Sequence, residues 1–363
     1  MESIAGGNSN SFFIDESDVL WGCGSPTFIS TARQDPGYFS KVQLPKNTLI
    51  QGVASGKSHN LFLDASGNAW SCGKCDNNHG LGFTYQNKFT AEAKIIPDSP
   101  KFLSISTFYE HSLFIDTDNN VWGCGNNNSS QLSSTTFTQS ITQVHLPCKI
   151  NSIAAGYQHS VFLDLEGTPW VCGGNSCGEL GLGDLQNRRT PVKVENLPAI
   201  REIYSGCQHT IFLAVDGSLW GAGFSGNGEL GIIETTNSSP IMIEGLPADI
   251  TKISLGWNHS LFLDGNGGVW VSGRNSSLQL GLSRNCVSNL ITQLKIPECV
   301  SIAAGANHSL FVDYQGSLWS CGDNKSTQLG VGSDTFFSSL KKVTSIPVVK
   351  VHANFAVKSA RKL

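Results

Sequence analysis

One pattern recurs along the whole chain and constrains its fold more than any other feature. A histidine recurs about every 50 residues, and it is followed by a phenylalanine and then by a tryptophan at fixed spacings. The histidine position holds His59, His111, His159, His209, His259 and His308, with Asn10 in the first copy. The phenylalanines are Phe13, Phe62, Phe114, Phe162, Phe212, Phe262 and Phe311, and the tryptophans are Trp21, Trp70, Trp122, Trp170, Trp220, Trp270 and Trp319. Such a period indicates an array of similar units rather than two unrelated domains.

Each unit has the pattern of four short strands. In the fourth copy, residues 159–164 are rich in β-branched and aromatic side chains, and Asp164 to Gly167 supply a turn. The last turn residue is glycine in five copies and Asp18 or Asn119 in the others, and these residue types tolerate positive φ. A later strand leads to a recurring proline: Pro45, Pro97, Pro147, Pro198, Pro247, Pro297 and Pro347. The sequence therefore predicts an all-β single domain over residues 1–363, a seven-bladed β-propeller with four-stranded antiparallel blades.

A propeller is a ring, and a ring must be closed. The first unit begins almost at once at Ile4, whereas the seventh unit is followed by the segment Val348-Val-Lys-Val351. We expect this C-terminal segment to add a strand to the blade that contains Phe13 and Trp21, so that the two ends of the chain pair.

Composition excludes several classes of protein. Hydrophobic residues make up 39% of the chain, which is enough for a sizeable core. The net charge of −4, with only 14% charged residues, gives no electrostatic footprint for nucleic acid or anionic lipid. No segment has the length and apolar character of a signal peptide or a membrane span. We therefore expect a monomer in the cytoplasm or the nucleus.

The histidine-containing run Gly-x-x-His-Ser-Leu-Phe-Leu-Asp-x-x-Gly-x-x-Trp-x-Cys-Gly resembles the repeat of the regulator of chromosome condensation family. The resemblance extends from about Ile4 to Val351 and is repeated in all seven copies. It implies a seven-bladed propeller, and it implies binding to protein partners more directly than any single activity.

Residues that recur in every unit are expected to be structural, because one ligand cannot occupy seven places. We expect hydrogen bonding inside the fold for the histidines, with a surface role for one or two of them as the alternative. The 11 cysteines are expected to be reduced thiols, and five of them share one small-residue column: Cys23, Cys72, Cys124, Cys172 and Cys321. Cys72 and Cys75 have Cys-x-x-Cys spacing, which leaves a redox or metal pair open. The sequence predicts no catalytic residue, metal site or cofactor, and hence no covalent enzyme.

Functional residues are expected where exposed loops depart from the period. The turn before the histidine and the loop after the Cys-Gly pair should lie at one end of each blade, and together they should form one face of the ring. The predicted protein-binding residues in the turns are Tyr109, Glu110, Tyr157, Gln158, Gln208, Trp257, Asn258 and Asn307. Those in the loops are Asp76, Phe224, Arg274, Asp323 and Lys325. The loop asparagines Asn126, Asn127, Asn175, Asn275 and Asn324 either belong to this face or form left-handed turns.

Aromatic and amide side chains with mixed charges favour an interaction propeller that acts as a scaffold or regulator. The alternative is guanine-nucleotide exchange on a Ran-type or other small GTPase, which needs no covalent chemistry. For this activity the family resemblance implies an acidic residue and a histidine on the exchange face, and Glu110 with His259 or His308 would fill those roles. A third hypothesis is a light sensor similar to the plant ultraviolet-B receptor. It rests only on the run from Gly256 to Ser260, which has a single tryptophan and lacks the arginine of that receptor's repeats.

Overall fold

The computed structural model describes residues 3–27, 29–31, 37–46, 48–74, 80–83, 89–133, 138–232, 234–283, 290–333, 337–344, 346–347 and 349–350. These residues form 28 strands in seven four-stranded antiparallel sheets, and none of them lies in a helix. The predicted all-β, seven-bladed propeller is confirmed. Within the same residues, no helix of membrane-spanning length and hydropathy occurs.

The strands follow one another blade by blade along the chain. Blade 1 contains β1 (Ile4–Gly6), β2 (Asn10–Ile14), β3 (Leu20–Gly24) and β4 (Ser40–Lys41). Blade 2 contains β5 (Ile50–Ser55), β6 (His59–Asp64), β7 (Ala69–Lys74) and β8 (Phe89–Ile95). Blade 3 contains β9 (Phe102–Thr107), β10 (His111–Asp116), β11 (Val121–Gly125) and β12 (Thr138–Val144). Blade 4 contains β13 (Ile150–Ala155), β14 (His159–Asp164), β15 (Pro169–Gly173) and β16 (Arg188–Lys193).

The remaining three blades have the same organisation. Blade 5 contains β17 (Ile200–Ser205), β18 (His209–Ala214), β19 (Leu219–Phe224) and β20 (Thr236–Met242). Blade 6 contains β21 (Ile250–Leu255), β22 (His259–Asp264), β23 (Val269–Gly273) and β24 (Thr292–Gln293). Blade 7 contains β25 (Cys299–Ala304), β26 (His308–Asp313), β27 (Leu318–Asp323) and β28 (Phe337–Lys342).

The hairpin between the second and third strands explains two of the repeated residue types. In blade 4, Phe162 lies opposite Trp170, and the turn glycine, Gly167, has a φ of 82°. One carboxylate oxygen of Asp164 accepts backbone N–H groups of the turn, and the other accepts the Trp170 indole N–H at 3.0 Å. Burial alone would raise the pKa of Asp164, but these hydrogen bonds lower it overall. The aspartate therefore holds the turn in one conformation through hydrogen bonds to the turn backbone and to the tryptophan.

Blade 5 departs from this scheme because Ala214 replaces the aspartate. Its Trp220 indole donates instead to the Ser218 hydroxyl at 3.0 Å, and that hydroxyl donates to Asp216 at 2.6 Å. The carboxylate of this turn is therefore moved outward, to an exposed position.

The hydrophobic core consists of layers between neighbouring blades. Phe162 and Cys172 of blade 4, for example, pack with Leu113 and Ile115 of blade 3. The column cysteines are buried free thiols, as predicted, and burial raises the pKa of Cys172 to about 12. Cys72 is one of these buried residues, whereas Cys75 lies outside the described residues.

The histidines join each blade to the next. Nε2 of each contacts a Ser or Thr hydroxyl one blade further on, at distances from 2.8 Å for His308–Ser11 to 3.3 Å for His209–Ser260. The other pairs are His59–Ser112, His111–Ser160, His159–Thr210 and His259–Ser309. Every one of these histidines is at most 1% exposed. The predicted structural role is confirmed, and the alternative of a surface role is wrong because the rings are buried.

The ends of the chain close the ring as predicted. Val349 forms an isolated antiparallel bridge with Asp15, directly after β2 in blade 1. In the other blades the residue that pairs in the place of Val349 is the first residue of the innermost strand, as Ile150 pairs with Asp164 in blade 4. The innermost strand of blade 1 is thus assembled from both ends of the chain, β1 and Val349. Val348 and Val351 of the predicted segment lie outside the described residues.

Candidate functional site

The turns before the histidines and the loops after the Cys-Gly pairs lie on one face, as the sequence predicts. In each blade, the first residue of the loop donates its backbone N–H to a carbonyl of the turn. These distances are 2.9 Å for Asn126 to Glu110, 2.7 Å for Gly174 to Gln158 and 2.7 Å for Arg274 to Asn258. We call the surface formed by these turns and loops the loop face.

The seven turns also surround the mouth of the central channel. Backbone hydrogen bonds join them between blades, from Lys57 N–H to the Tyr109 carbonyl at 2.9 Å and from Trp257 N–H to the Ala306 carbonyl at 3.2 Å. Below the mouth, the innermost strands enclose a cavity of about 300 Å³ with a lining that includes alanine, serine and isoleucine side chains. The turn side chains therefore stand on a rigid ring at the centre of the loop face.

Three aromatic side chains from different blades meet at this mouth. The ring centroids of Tyr109 and Tyr157 are 4.1 Å apart, and those of Tyr109 and Trp257 are 6.3 Å apart. All three side chains are half-buried. The hydrogen bond with Tyr109, together with burial, raises the pKa of Tyr157 to about 12, so its phenol is neutral at physiological pH. We call Tyr109, Tyr157 and Trp257 the aromatic cluster.

A lysine that the sequence analysis missed holds one side of this cluster. Nζ of Lys57 donates to Oη of Tyr109 at 2.6 Å and to Oε1 of Glu110 at 2.7 Å, and it lies 4.3 Å from the centre of the Tyr109 ring. Burial alone would lower the pKa of Lys57, but its bonds to Glu110 and Tyr109 raise it overall. Oε2 of Glu110 accepts from the Asn126 side chain at 3.0 Å. Lys57 occupies the same turn position as Tyr157 and Trp257, and that shared position was the signal in the sequence.

The remaining predicted residues are more dispersed over the loop face. Gln158, Gln208, Asn307, Phe224 and Asp323 are half-buried, whereas Arg274 and Lys325 are exposed. The Arg274 guanidinium donates to the Ser276 hydroxyl at 2.7 Å, and the Asp323 carboxylate accepts the Lys325 backbone N–H at 3.0 Å. Asp76 lies outside the described residues.

Most of the loop asparagines shape the loops from within. The side-chain oxygen of each of four buried asparagines accepts the backbone N–H of a leucine five residues later: Asn127, Asn175, Asn275 and Asn324. For these four, the structure shows a hydrogen-bonding role inside the loop. Their φ angles are not in the left-handed region, which in these loops belongs to neighbours such as Ser130 and Leu278.

Two buried carboxylates were also missed. Glu179 and Glu229 occupy the position held by Gln131, Gln279 and Gln328 in other blades. Glu229 accepts the Asn258 side-chain amide at 3.3 Å and thereby orients a residue next to Trp257. Burial raises the pKa of Glu179. The signal in the sequence was an acid in a column of glutamines.

Of the three residues that the family resemblance assigns to nucleotide exchange, one lies on the loop face and two are buried. Glu110 lies on the loop face but is paired with Lys57 at 2.7 Å. His259 and His308 are fully buried in the inter-blade hydrogen bonds. The prediction that either histidine faces a GTPase is therefore wrong.

The fold and its repeated hairpins define a β-propeller of the regulator of chromosome condensation class. A family model described as RCC1-like domain matches residues 1–285, and two models of the RCC1 repeat match residues 266–312 and 299–328. This chain belongs to the RCC1-like domain family. A search of curated proteins gives no match.

Solved structures share the fold at low sequence identity. Yeast RCC1 (Prp20), in a structure with bound Kap60, is 20% identical, with a TM-score of 0.81 over 95% of this chain and 86% of that one. A second structure, of Prp20p from Saccharomyces cerevisiae, described with its binding properties to Gsp1p and histones, is 21% identical, with a TM-score of 0.78 over 88% and 83% of the two chains. Human WBSCR16 is 21% identical, with a TM-score of 0.74 over 89% and 90%.

Proposed function

We propose that this chain is a protein-interaction propeller, a scaffold or regulator that binds its partner on the loop face through the aromatic cluster. The observation that carries the proposal is the convergence of Tyr109, Tyr157 and Trp257, from three blades, at the centre of that face. We expect it to act as a monomer in the cytoplasm or the nucleus, without covalent catalysis.

The geometry of the cluster suits a protein interface. Tyrosine and tryptophan are enriched among the residues that dominate binding energy, and such residues concentrate near the centre of an interface. Packing between the rings and the Lys57 hydrogen bond to Tyr109 restrict the free conformations of these side chains. Binding therefore costs less side-chain entropy than it would for separate exposed rings. The Lys57 charge is balanced by Glu110, which favours a protein rather than a phosphate group at this place.

Replacing Tyr109, Tyr157 and Trp257 together by alanine is expected to remove the partners that the intact chain retains in an affinity purification from its native cells. Loss of two or more central aromatic anchors weakens binding by about 100-fold or more. The measurement compares the retained proteins quantitatively between wild type and variant, after thermal unfolding curves have shown that both are folded.

Tyr314 provides a matched control, because this aromatic side chain is 45% exposed in a turn at the opposite end of blade 7. A Tyr314→Ala variant should retain the same partners as wild type. Identical partner lists for the triple variant and wild type would rule out the aromatic cluster as the docking site.

The second candidate is guanine-nucleotide exchange on a small GTPase. It is favoured by the shared fold with Prp20p, which is described as binding Gsp1p. The intact chain should then accelerate nucleotide release from Ran or from a Rho or Rab GTPase, and Trp257→Ala should reduce the acceleration. Because His259 and His308 are buried, exchange would have to use other residues of the loop face. If none of the three GTPase classes releases nucleotide faster than it does alone, this candidate is eliminated.

A further inference from the structure

The face opposite the loop face carries a continuous apolar strip on blades 4 to 6. This turn face is formed by the hairpin turns between the second and third strands of each blade. Leu165 and Val215 occupy the same position in the turns of blades 4 and 5, and they are 62% and 64% exposed. The equivalent residues in the other blades are Glu16, Ala65, Thr117, Gly265 and Tyr314.

Backbone contacts make these two side chains part of one surface. The Ile200 N–H donates to the carbonyl of Gly167, in the same turn as Leu165, at 3.0 Å. The Val215 N–H donates to the carbonyl of Ala199, the residue before Ile200, at 2.8 Å. Gly217, in the same turn as Val215, lies against the carbonyl of Ala248. Leu165, Ala199, Val215 and Ala248 thus follow one another across three blades, and all four are exposed. We call these four residues the apolar strip.

The same contact presents a charged residue in two other blades and an apolar one in blade 2, where the Ala65 N–H donates to the Leu49 carbonyl at 2.8 Å. The residue that accepts from the turn is Lys101 in blade 3 and Glu298 in blade 7, where blade 5 has Ala199. Nothing in the propeller architecture requires small or apolar residues at this place, because other blades form the same hydrogen bond with charged ones. The repeat therefore does not explain the apolar strip.

Negative charge surrounds the strip. The seven turns (15–18, 64–67, 116–119, 164–167, 214–217, 264–267 and 313–316) contain no lysine or arginine. Of their eleven carboxylates, six are the buried aspartates of the hairpin turns and five remain at the surface. Glu166 and Asp216, which directly follow Leu165 and Val215, are both exposed. Arg201, which follows Ile200, is already engaged with the Ile250 carbonyl at 3.0 Å and with Glu202 at 3.5 Å. Lys149, which precedes Ile150 as Ala199 precedes Ile200, donates to the Asn120 side chain at 2.7 Å. Among the described residues, Glu166 and Asp216 form no ion pair, so a ligand on the strip meets apolar side chains flanked by two exposed carboxylates.

We propose that the apolar strip is a second docking surface, and that it binds a basic amphipathic segment of another protein, in which lysine or arginine alternates with apolar residues. Apolar side chains of the segment cover Leu165 and Val215, and its cations pair with Glu166 and Asp216. A second copy of this chain fits the strip poorly, because two such faces would bring like charges together. The strip lies at the opposite end of the blades from the aromatic cluster, so both surfaces are free to bind at once.

The experiment measures the affinity of the full chain for a synthetic peptide of alternating leucine and lysine. Binding is detected by fluorescence anisotropy at low and at physiological salt. Leu165→Ser combined with Val215→Ser should weaken binding about tenfold or more, because two exposed apolar contacts are lost. Glu166→Lys combined with Asp216→Lys should weaken it about tenfold or more at low salt and flatten its salt dependence.

Matched controls come from the neighbouring turns. Ala65→Ser and Asp118→Lys change the same kinds of exposed turn residue in blades 2 and 3, and binding should stay within about twofold of wild type. A peptide with serine in place of leucine should bind at least about tenfold more weakly.

Three results would overturn the proposal. The first is equal affinity of the leucine–lysine peptide for wild type and both double variants. The second is equal affinity of the serine–lysine and leucine–lysine peptides, which would mean that charge alone is recognised. The third is self-association in sedimentation experiments that Leu165→Ser with Val215→Ser abolishes, which would identify a second copy as the occupant.

Discussion

Acidification from pH 7 to pH 5 is expected to remove most of the stability of the ring. The inter-blade histidines His111, His159, His209 and His259 have pKa values lowered by burial to about 3, and that of His308 is lowered to about 4. In the unfolded chain a histidine has a pKa of about 6.5. Each of these five residues thus costs about 2 kcal/mol of stability between pH 7 and pH 5, on the order of 10 kcal/mol together. That loss is comparable with the whole stability of a typical domain.

Hydrogen bonding explains why these rings stay neutral. The Ser160 hydroxyl donates to the Gln131 carbonyl at 2.7 Å, so its oxygen must accept from Nε2 of His111 at 3.0 Å. Nδ1 of His111 is then unprotonated, and it is buried without a partner. A second proton would place a charge in the core between two blades, at a large desolvation cost.

The sign of the effect follows from proton binding. Between about pH 3 and pH 6.5 the unfolded chain binds protons at these positions and the folded chain does not. Stability therefore falls as the pH is lowered through this window. Above pH 7, titration of these histidines should change the stability little. Urea unfolding at pH 7, 6 and 5 measures the change. Equal midpoints at pH 7 and pH 5 would contradict the prediction.

A variant distinguishes histidine titration from general acid effects. His259→Asn places at one junction the residue that Asn10 supplies naturally in blade 1. This variant should be less stable than wild type at pH 7, because it loses the hydrogen bond to Ser309. It should lose less stability than wild type between pH 7 and pH 5, by about 2 kcal/mol.

Sequence periodicity predicts the contacts that each blade makes within itself or with the next blade. The Phe–Trp pairing, the turn glycine, the cysteine column and the inter-blade role of the histidines all repeat, so seven copies report the same physical requirement. The aromatic cluster is different. Tyr109 meets Trp257 only because the ring brings blade 3 and blade 6 to one channel mouth, and no local pattern encodes that distance. Lys57 stands at the same turn position as Tyr157 and Trp257, but a search for aromatic and amide side chains passes over a lysine there.

The apolar strip is a second surface that the periodicity of the sequence does not predict. The turn of Leu165 matches the repeat at its other residues and that of Val215 differs at Ala214, but each of the two side chains alone is an ordinary exposed one. Only the hydrogen bonds through Gly167 and Ala199 show that the two turns share one surface. Contacts within a unit are thus accessible from one sequence, whereas surfaces assembled from several units require the ring.

Ring closure should have the second large effect, because Val349 and Lys350 join the last blade to the first. Val349 is fully buried against Ile4, Phe13 and Leu318, and its N–H donates to the Gly316 carbonyl at 3.0 Å. The Lys350 N–H donates to the Ile14 carbonyl at 2.8 Å. Deleting the residues after 345 removes the buried Val349 side chain, the partly buried Ile346 that packs on the same cluster, two backbone hydrogen bonds and the Lys350–Asp18 ion pair. The combined loss is about 5 kcal/mol. In a chain of this size the loss corresponds to a decrease in Tm of roughly 5–10 °C.

Two further variants locate the origin of this loss. A chain that ends after Lys350 keeps every described closing contact, so its Tm should lie within about 2 °C of that of the intact chain. Val349→Ala leaves both backbone hydrogen bonds in place but removes part of the buried side chain, and it should give an intermediate Tm. Scanning calorimetry on the full chain and the three variants tests this order. If deletion after residue 345 leaves the melting curve unchanged, the contacts of Val349 and Lys350 do not hold the ring closed, and the covalent path through the seven blades is sufficient.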